Sequence, residues 1–386
     1  MGLSTQVCVV GAGPAGLVLA IALGRAGIHC TVLERRRRAE LGQRARAGFL
    51  EHRTVAYLRG QGLTQRLDER AMRHVRCEFR LPGHRFSLAY GELAGGYAHT
   101  VYPQQLLVSD LIGTLLAEGG RILFAHSVTG ITGLDGSRPR LDCQPEAGPP
   151  MRIECDVVAG CDGWHGISRA ALPPGKVRTT NRRYPFNWLT LLAEVPAQTD
   201  QVIYALHDNG FAGQMPRTKD VSRFYLQCPA ESTVAHWPDE RVWKELGERM
   251  AADDAPALSE GRILEKGILV MRSAVTEPMR HGRLLLAGDS AHPLTPVGAK
   301  GMNLAIADAA HLATAVTAFY RDGEDTPLRE YSDNRLPHVW NAHDFSDRLL
   351  HMLHPPTPAA SQLKQLERNP DLARTFAQEY VGSAPL

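Results

Sequence analysis

Three glycines, Gly11, Gly13 and Gly16, punctuate the stretch Val9-Val10-Gly11-Ala12-Gly13-Pro14-Ala15-Gly16-Leu17. Their spacing suits a pyrophosphate. The first glycine permits a tight turn, the second lets the backbone approach the phosphates, and the third lets a helix close on a strand. Pro14 and Ala15 open that helix, whose free N–H groups and positive dipole end favour an anion. Glu34 follows where a carboxylate accepts from a ribose hydroxyl. The motif alone leaves two cofactors open: a nicotinamide that departs after each turnover, or a flavin that stays.

Two further stretches carry acids at strand ends. Asp162-Gly163 closes one apolar run and precedes Trp164-His165-Gly166-Ile167-Ser168-Arg169, in which Ser168-Arg169 reads as the start of a helix. Arg283 to Ala287 reads as a buried strand that presents Gly288-Asp289. Beyond it, Gly298-Ala299-Lys300-Gly301-Met302-Asn303 opens another helix.

The elements that position these residues follow from periodicity. Gln6 to Val10 is a short apolar run that ends in glycine, as a buried parallel strand does. Leu17, Leu19, Ala20, Leu23 and Ala26 recur at helical spacing, Gly27 stops the helix, and Cys30 to Leu33 is a second strand. Asp156 to Ala159 is a further strand. Residues 181 to 268 are strand-rich and alternate apolar with polar side chains, as in Arg223-Phe224-Tyr225-Leu226-Gln227. From about residue 300 the pattern is helical, over Ile306 to Phe319 and Leu328 to Leu350, and Pro355-Pro356-Thr357-Pro358 breaks the chain before a last helix.

Composition limits the function. The chain has 386 residues, enough for two or three interlocked domains. A hydrophobic content of 44%, a charged content of 22% and a net charge of +2 fit an ordinary globular protein with no global attraction to nucleic acid. The seven cysteines form no C-x-x-C pair, so they read as free thiols of a reducing, cytoplasmic setting. The longest apolar stretch, Val7 to Leu23, is broken by glycines and Pro14 and reads as neither a signal peptide nor a membrane span. No metal site is expected.

In order and distance, the glycine motif with its distal Glu34, the Asp162-Gly163 motif and the Gly288-Asp289 motif resemble the class A flavoprotein aromatic monooxygenases, closest to the branch that hydroxylates 4-hydroxybenzoate. Arg46-Ala47-Gly48-Phe49-Leu50-Glu51, Gly160 through Arg169, Tyr184-Pro185-Phe186-Asn187-Trp188-Leu189, Gly298 through Ala305 and Tyr380-Val381-Gly382 carry the same likeness. The resemblance implies an α/β fold: a Rossmann-like FAD-binding domain (1–180 with 269–320), an inserted mixed or antiparallel β-sheet substrate domain (181–268, with part of 75–100) and C-terminal helices (321–386). It implies FAD as resident cofactor, NADPH or NADH as reductant, O2, ring hydroxylation through a flavin C4a-hydroperoxide, and a homodimer.

The same resemblance implies roles for single residues. Asp162, Asp289, Gln104, Lys300 and the backbone at Met302 and Asn303 serve the flavin, Arg46 serves the pyrophosphates, and Arg223 guides flavin movement. Tyr204, Tyr380 and His74 relay the phenolic proton of the substrate, with the Pro296 carbonyl near its hydroxyl. Arg217 binds the substrate carboxylate and Tyr225 closes over it. His165, Arg272 and Arg46 receive the pyridine nucleotide. The run Arg35 to Arg38 meets its 2′-phosphate, which favours NADPH.

Three positions depart from the family pattern. Met215 stands for a serine, Gly213 for a leucine and Phe49 for a valine. Space is therefore expected to be gained at 213 and lost near 49. A reshaped wall points to 4-hydroxybenzoate or to a ring-substituted relative such as 3-amino-4-hydroxybenzoate, hydroxylated at carbon 2. A flavin oxidase, a halogenase or a non-catalytic FAD-binding protein is the rival class. The halogenase lysine motif is missing, and the Tyr204, Tyr380 and Arg217 set argues against a non-catalytic protein.

Overall fold

The computed structural model describes residues 2–42, 48–196, 199–354 and 360–382. Val7–Val10, buried throughout, lies at the centre of a six-stranded sheet. The sheet order is Arg280–His281, Leu284–Leu286, Val157–Gly160, Val7–Val10, Cys30–Glu34, Arg121–Phe124, parallel except for the first pair. A parallel sheet needs helices on its faces. Pro14–Arg25 packs between Lys300–Asp322 and Gln104–Ala117. The strand expected at Asp156 to Ala159 lies at Val157–Gly160.

The turn after the first strand works only with glycine at two points. Gly11 has a φ of +104°, and a Cβ there would sit 2.5 Å from the Cys161 carbonyl oxygen. A Cβ on Gly16 would lie 2.1 Å from the Gly11 oxygen and 3.1 Å from Val9, so the helix could not close on the strand. Gly16→Ala should therefore lower the melting temperature, with a cost on the order of 1–3 kcal/mol or more, and reduce the FAD retained per chain. Calorimetry together with the flavin-to-protein absorbance ratio checks both.

A second, seven-stranded sheet runs Ile263–Glu277, Arg178–Ala193, Ser222–Pro229, Ala212–Pro216, Val202–Ala205, Cys77–Leu81, His84–Leu88. It is antiparallel except between Val202–Ala205 and Cys77–Leu81. Its two long strands begin at Arg178 and end at Glu277, beyond the 181–268 span expected from alternation. A three-stranded sheet of Phe49–Leu50, His99–Val101 and Met72–His74 lies between the larger units, and a four-stranded sheet includes Gly2–Ser4.

The C-terminal part is helical, with longer elements than periodicity suggested. Lys300–Asp322 replaces Ile306 to Phe319, and Tyr331–Leu353 replaces Leu328 to Leu350. Leu328 instead belongs to a separate turn of helix, Thr326–Arg329. The helix expected at Ser168-Arg169 is only a three-residue 3₁₀ turn, Arg169–Ala171. Pro173-Pro174 explains this, because the residue before a proline is pushed out of the helical region and Leu172 is extended at ψ 133°, while the Asp162 carboxylate accepts from the Ser168 N–H at 2.9 Å at the start of the turn. A Cβ at Gly166 would fall 2.0 Å from that carboxyl group. Ala360–Arg368 and Pro370–Val381 close the chain over an aromatic core shared with the seven-stranded sheet.

Candidate active site

The sheet register collects the predicted substrate residues. Tyr204 pairs with Gly213, Gly213 with Tyr225, and Met215 with Arg223. Register partners, and residues two apart on one strand, share a face. One sheet face therefore presents Tyr204, Gly213, Met215, Tyr225 and Arg223. Phe224 and Gln214, on the opposite parity, face the other way, and Phe224 meets Trp243 edge-on. Arg217 begins the turn after Ala212–Pro216, where its N–H donates to the Val221 oxygen at 2.9 Å.

Arg217 and Arg223 are both buried. Burial, and then the nearby Arg223 charge, push the Arg217 guanidinium down to about 10. It is still charged at neutral pH, and it is in the state that an incoming anion relieves.

The space expected at Gly213 is not open. The Phe211 ring occupies it, with its Cζ 3.0 Å from where a Gly213 Cβ would stand. Phe211 in turn stacks on Trp188 at 4.8 Å, which lies 5.1 Å from Tyr225. Phe49 is buried as expected and crowds its surroundings, with its ring 4.1 Å from His99 and 6.4 Å from Tyr380.

Tyr204 and Tyr380 meet hydroxyl to hydroxyl at 2.8 Å, although they lie on different elements and far apart in sequence. Burial raises the pKa of both. Neither side chain is a stable tyrosinate, so a proton crosses the pair only by hand-off. His74 lies close by but outside this bond. Its ring nitrogens make no well-formed hydrogen bond among the described residues, and burial lowers its pKa while the charge and backbone of nearby Asp200 oppose the shift. The Pro296 carbonyl accepts from the Ala299 N–H at 3.1 Å and keeps one lone pair for another donor.

Around the dinucleotide turn, Glu34 accepts from the Ala12 N–H at 2.9 Å and the Arg36 N–H at 3.0 Å. A Cβ on Gly13 would meet nothing within 4 Å, which leaves an open cradle at the head of the helix. Ala15 packs near Gly288, and exposed Asp289 lies beside Gly301 at the start of Lys300–Asp322. That helix has neither a side-chain cap nor an acid in its first turn. The N–H groups near Met302 and Asn303 therefore stay available to an anionic ring edge. Gln104 opens its helix, half-buried. These features fit FAD.

One predicted cofactor residue, Lys300, has its side chain committed elsewhere. All three Lys300 N–H donors are occupied, by Glu51 at 2.6 Å and by the carbonyls of Glu379 at 2.6 Å and Tyr380 at 2.9 Å. Lys300 therefore reaches a flavin only through its charge, and it ties the last helix to the strand Phe49–Leu50. The Asn303 side chain is likewise spent, on the Glu51 N–H and the carbonyls of Phe49 and Ala299. In the arginine run, Arg37 is paired with Glu146 and Arg35 is exposed. Arg46 lies outside the described residues.

His165 is exposed next to Trp164. The Trp164 ring has Arg169 3.5 Å and Arg272 5.8 Å from its centre, so an aromatic plate with two cations over it stands where the reductant was expected. Motif reading missed Trp164 and Arg169.

It also missed the buried group under the Gly288-Asp289 turn. Asp308 accepts from His292 at 2.5 Å, Arg335 at 2.9 Å and the Gly288 N–H at 2.9 Å. A lone acid in the apolar run Leu304-Ala305-Ile306-Ala307-Asp308-Ala309-Ala310 was the available signal, because buried charges need partners. Burial pushes the Asp308 carboxyl up, but His292 and Arg335 outweigh it and hold it down to about 2. An acid whose folded pKa is depressed adds stability above its unfolded value near 3.9, and that stability fades as pH falls toward the folded value. The stability gap between wild type and Asp308→Asn should narrow by roughly 2–3 kcal/mol between about pH 5 and pH 2, as read by urea unfolding.

A family model described as FAD binding domain matches residues 4–346. The chain is 37% identical to a p-hydroxybenzoate hydroxylase of Acinetobacter baylyi, covering 98% of this chain and 96% of that one. It is 30% identical to a 3-amino-4-hydroxybenzoate 2-monooxygenase of Streptomyces platensis, covering 93% and 91%. Its fold is similar to that of a p-nitrophenol 4-monooxygenase from Pseudomonas putida, with a TM-score of 0.83 at 20% identity, covering 98% of each chain.

Proposed function

The chain belongs to the family of this FAD binding domain and is a FAD-dependent aromatic ring hydroxylase, and from that premise we propose that it hydroxylates 4-hydroxybenzoate beside the phenolic oxygen. One observation carries the choice of substrate. A single sheet face holds a hydroxyl pair able to take a phenolic proton, Tyr204 with Tyr380, and on the same strands leads to the buried cation Arg217.

Bound FAD supplies the hydride acceptance and the oxygen transfer that no side chain can perform. The chain does the rest. Gly11, Gly13, Ala15 and Gly16 cradle the pyrophosphate on the first helix, with Arg46 as a further contact. Glu34 takes a ribose hydroxyl, and Asp289 takes the ribityl chain with Gln104 near it. The N–H groups at Met302 and Asn303 stabilise negative charge on the reduced ring. Asp162 shapes the turn that closes the cofactor cleft, and Arg223 steers the flavin.

Arg217 anchors the substrate carboxylate, and Tyr225 and Met215 cover it. Tyr204 then removes the phenolic proton, which raises electron density at the carbon ortho to the oxygen. The Pro296 carbonyl orients the hydroxyl.

NADPH as reductant belongs to the same proposal, received by His165 and Arg272 around the Trp164 plate with Arg35 toward its 2′-phosphate. So do a homodimer and a cytoplasmic setting. The 3-amino substrate loses its main argument, because Phe211 fills the room once expected at Gly213.

The test is NADPH oxidation with a panel of substituted 4-hydroxybenzoates and product identification by mass spectrometry. Stimulation by 4-hydroxybenzoate, a dihydroxybenzoate product and little hydrogen peroxide are expected. Faster coupled turnover of the 3-amino acid would replace this substrate, and oxidation with peroxide alone would remove the hydroxylase reading.

A further inference from the structure

The tyrosine pair and His74 leave a gap. Among the described residues no hydrogen bond or ring contact joins His74 to Tyr380. His99 lies between them. Its ring is 4.8 Å from the Tyr380 ring, edge to face, and it stands directly opposite His74 in the register of Met72–His74 with His99–Val101. Opposed residues on neighbouring strands come close enough for their side chains to interact.

His99 is completely buried. Its Nδ1 lies 3.3 Å from the Tyr90 hydroxyl, its Nε2 makes no well-formed hydrogen bond among the described residues, and the Tyr380 backbone carbonyl faces the ring. An apolar residue would fill this place against Phe49 without the cost of burying a polar ring edge. Imidazole offers what an apolar residue cannot, which is to accept a proton at one nitrogen and release one from the other.

We propose that His99 is a second relay histidine that carries the substrate's phenolic proton from the Tyr204–Tyr380 pair to His74. The inference rests on the hydroxylase reading above. At each hop one O–H or N–H bond breaks and one forms. The substrate phenol loses a proton to Tyr204, Tyr204 passes one to Tyr380, and His99 takes one there and gives one up toward His74, from which it leaves to solvent. The relay ends as it began and no electrons move. The Tyr90 hydroxyl can donate to Nδ1 of the neutral ring and accept from it once protonated, so it serves both states.

The charged and titratable groups facing His99 are Lys300, His74, Tyr90 and Tyr380. Burial lowers the His99 pKa most. The Lys300 and His74 charges lower it further, and the Tyr380 carbonyl opposes them. A proton on this ring is therefore held briefly and passed on.

The experiment uses the FAD-loaded enzyme and His99→Gln, which keeps size and hydrogen bonding but cannot carry a proton, beside His99→Leu. A stopped-flow pH jump reads formation of bound phenolate from 4-hydroxybenzoate by its ultraviolet band. Both variants should slow phenolate formation and kcat by at least about tenfold, part of the usual general acid–base contribution, with KM and FAD content within about twofold of wild type. If His99→Leu fails to fold, His99→Gln decides alone. Wild-type rates and pH profile in His99→Gln would overturn the relay role. A wild-type enzyme that forms no phenolate and shows no substrate-stimulated NADPH oxidation would instead overturn the hydroxylase reading.

Discussion

Arg217→Ala should lower kcat/KM for 4-hydroxybenzoate by roughly 10²- to 10³-fold, because breaking a buried charge pair costs about 3–5 kcal/mol and each 1.4 kcal/mol is tenfold. The loss should appear in KM and in equilibrium binding of the acid, since the carboxylate stays distant from the reacting carbon. Phenols without the carboxylate should bind variant and wild type alike. Arg217→Lys keeps the charge but not the two-pronged geometry, so it should recover only part of the affinity. An acid that binds Arg217→Ala as tightly as wild type would take the carboxylate elsewhere.

How much of this was legible in the sequence depended on whether residue identity alone sets local geometry. Gly11 and Gly16 were readable because a side chain there would strike a backbone oxygen, and no distant packing alters that. The strand Val7–Val10 and the helix Pro14–Arg25 emerged from short-range periodicity for the same reason. Ser168-Arg169 starts only one helical turn because Leu172, held extended before Pro173-Pro174, stops it. Gly213 read as a gap because a missing side chain looks like room until Phe211, two residues earlier on the same face, is seen over it.

The site was less legible than the fold. Nothing in spacing brings Tyr204 to Tyr380, and only the family resemblance joined them before the hydroxyls were found in contact. Lys300 was expected at the cofactor because it stands in a cofactor motif. The partners that consume its donors, Glu51 and the carbonyls of Glu379 and Tyr380, come from opposite ends of the chain. His99 was visible as a histidine but not as a buried one, because burial is a property of the assembled sheet, helix and C-terminal cap together.

Tyr204→Phe removes the first acceptor and leaves the ring's packing against Phe79 at 5.5 Å intact, so the fold and substrate binding should persist. Hydroxylation should fall by roughly 10²- to 10⁴-fold, the range a positioned acid–base group contributes, with KM little changed. The pH dependence separates this from a packing defect. With the relay cut, the substrate must ionise unaided, and its phenolate fraction grows about tenfold per pH unit until pH approaches the phenol's own pKa near 10. The variant's rate should climb on that slope, while wild type, which hands the proton along, should be much flatter. Oxygen consumed meanwhile should appear as hydrogen peroxide rather than in the ring. Product analysis by mass spectrometry across pH 6 to 10 reads all three, and a variant within threefold of wild type with the same pH profile would place the proton's exit somewhere other than Tyr204.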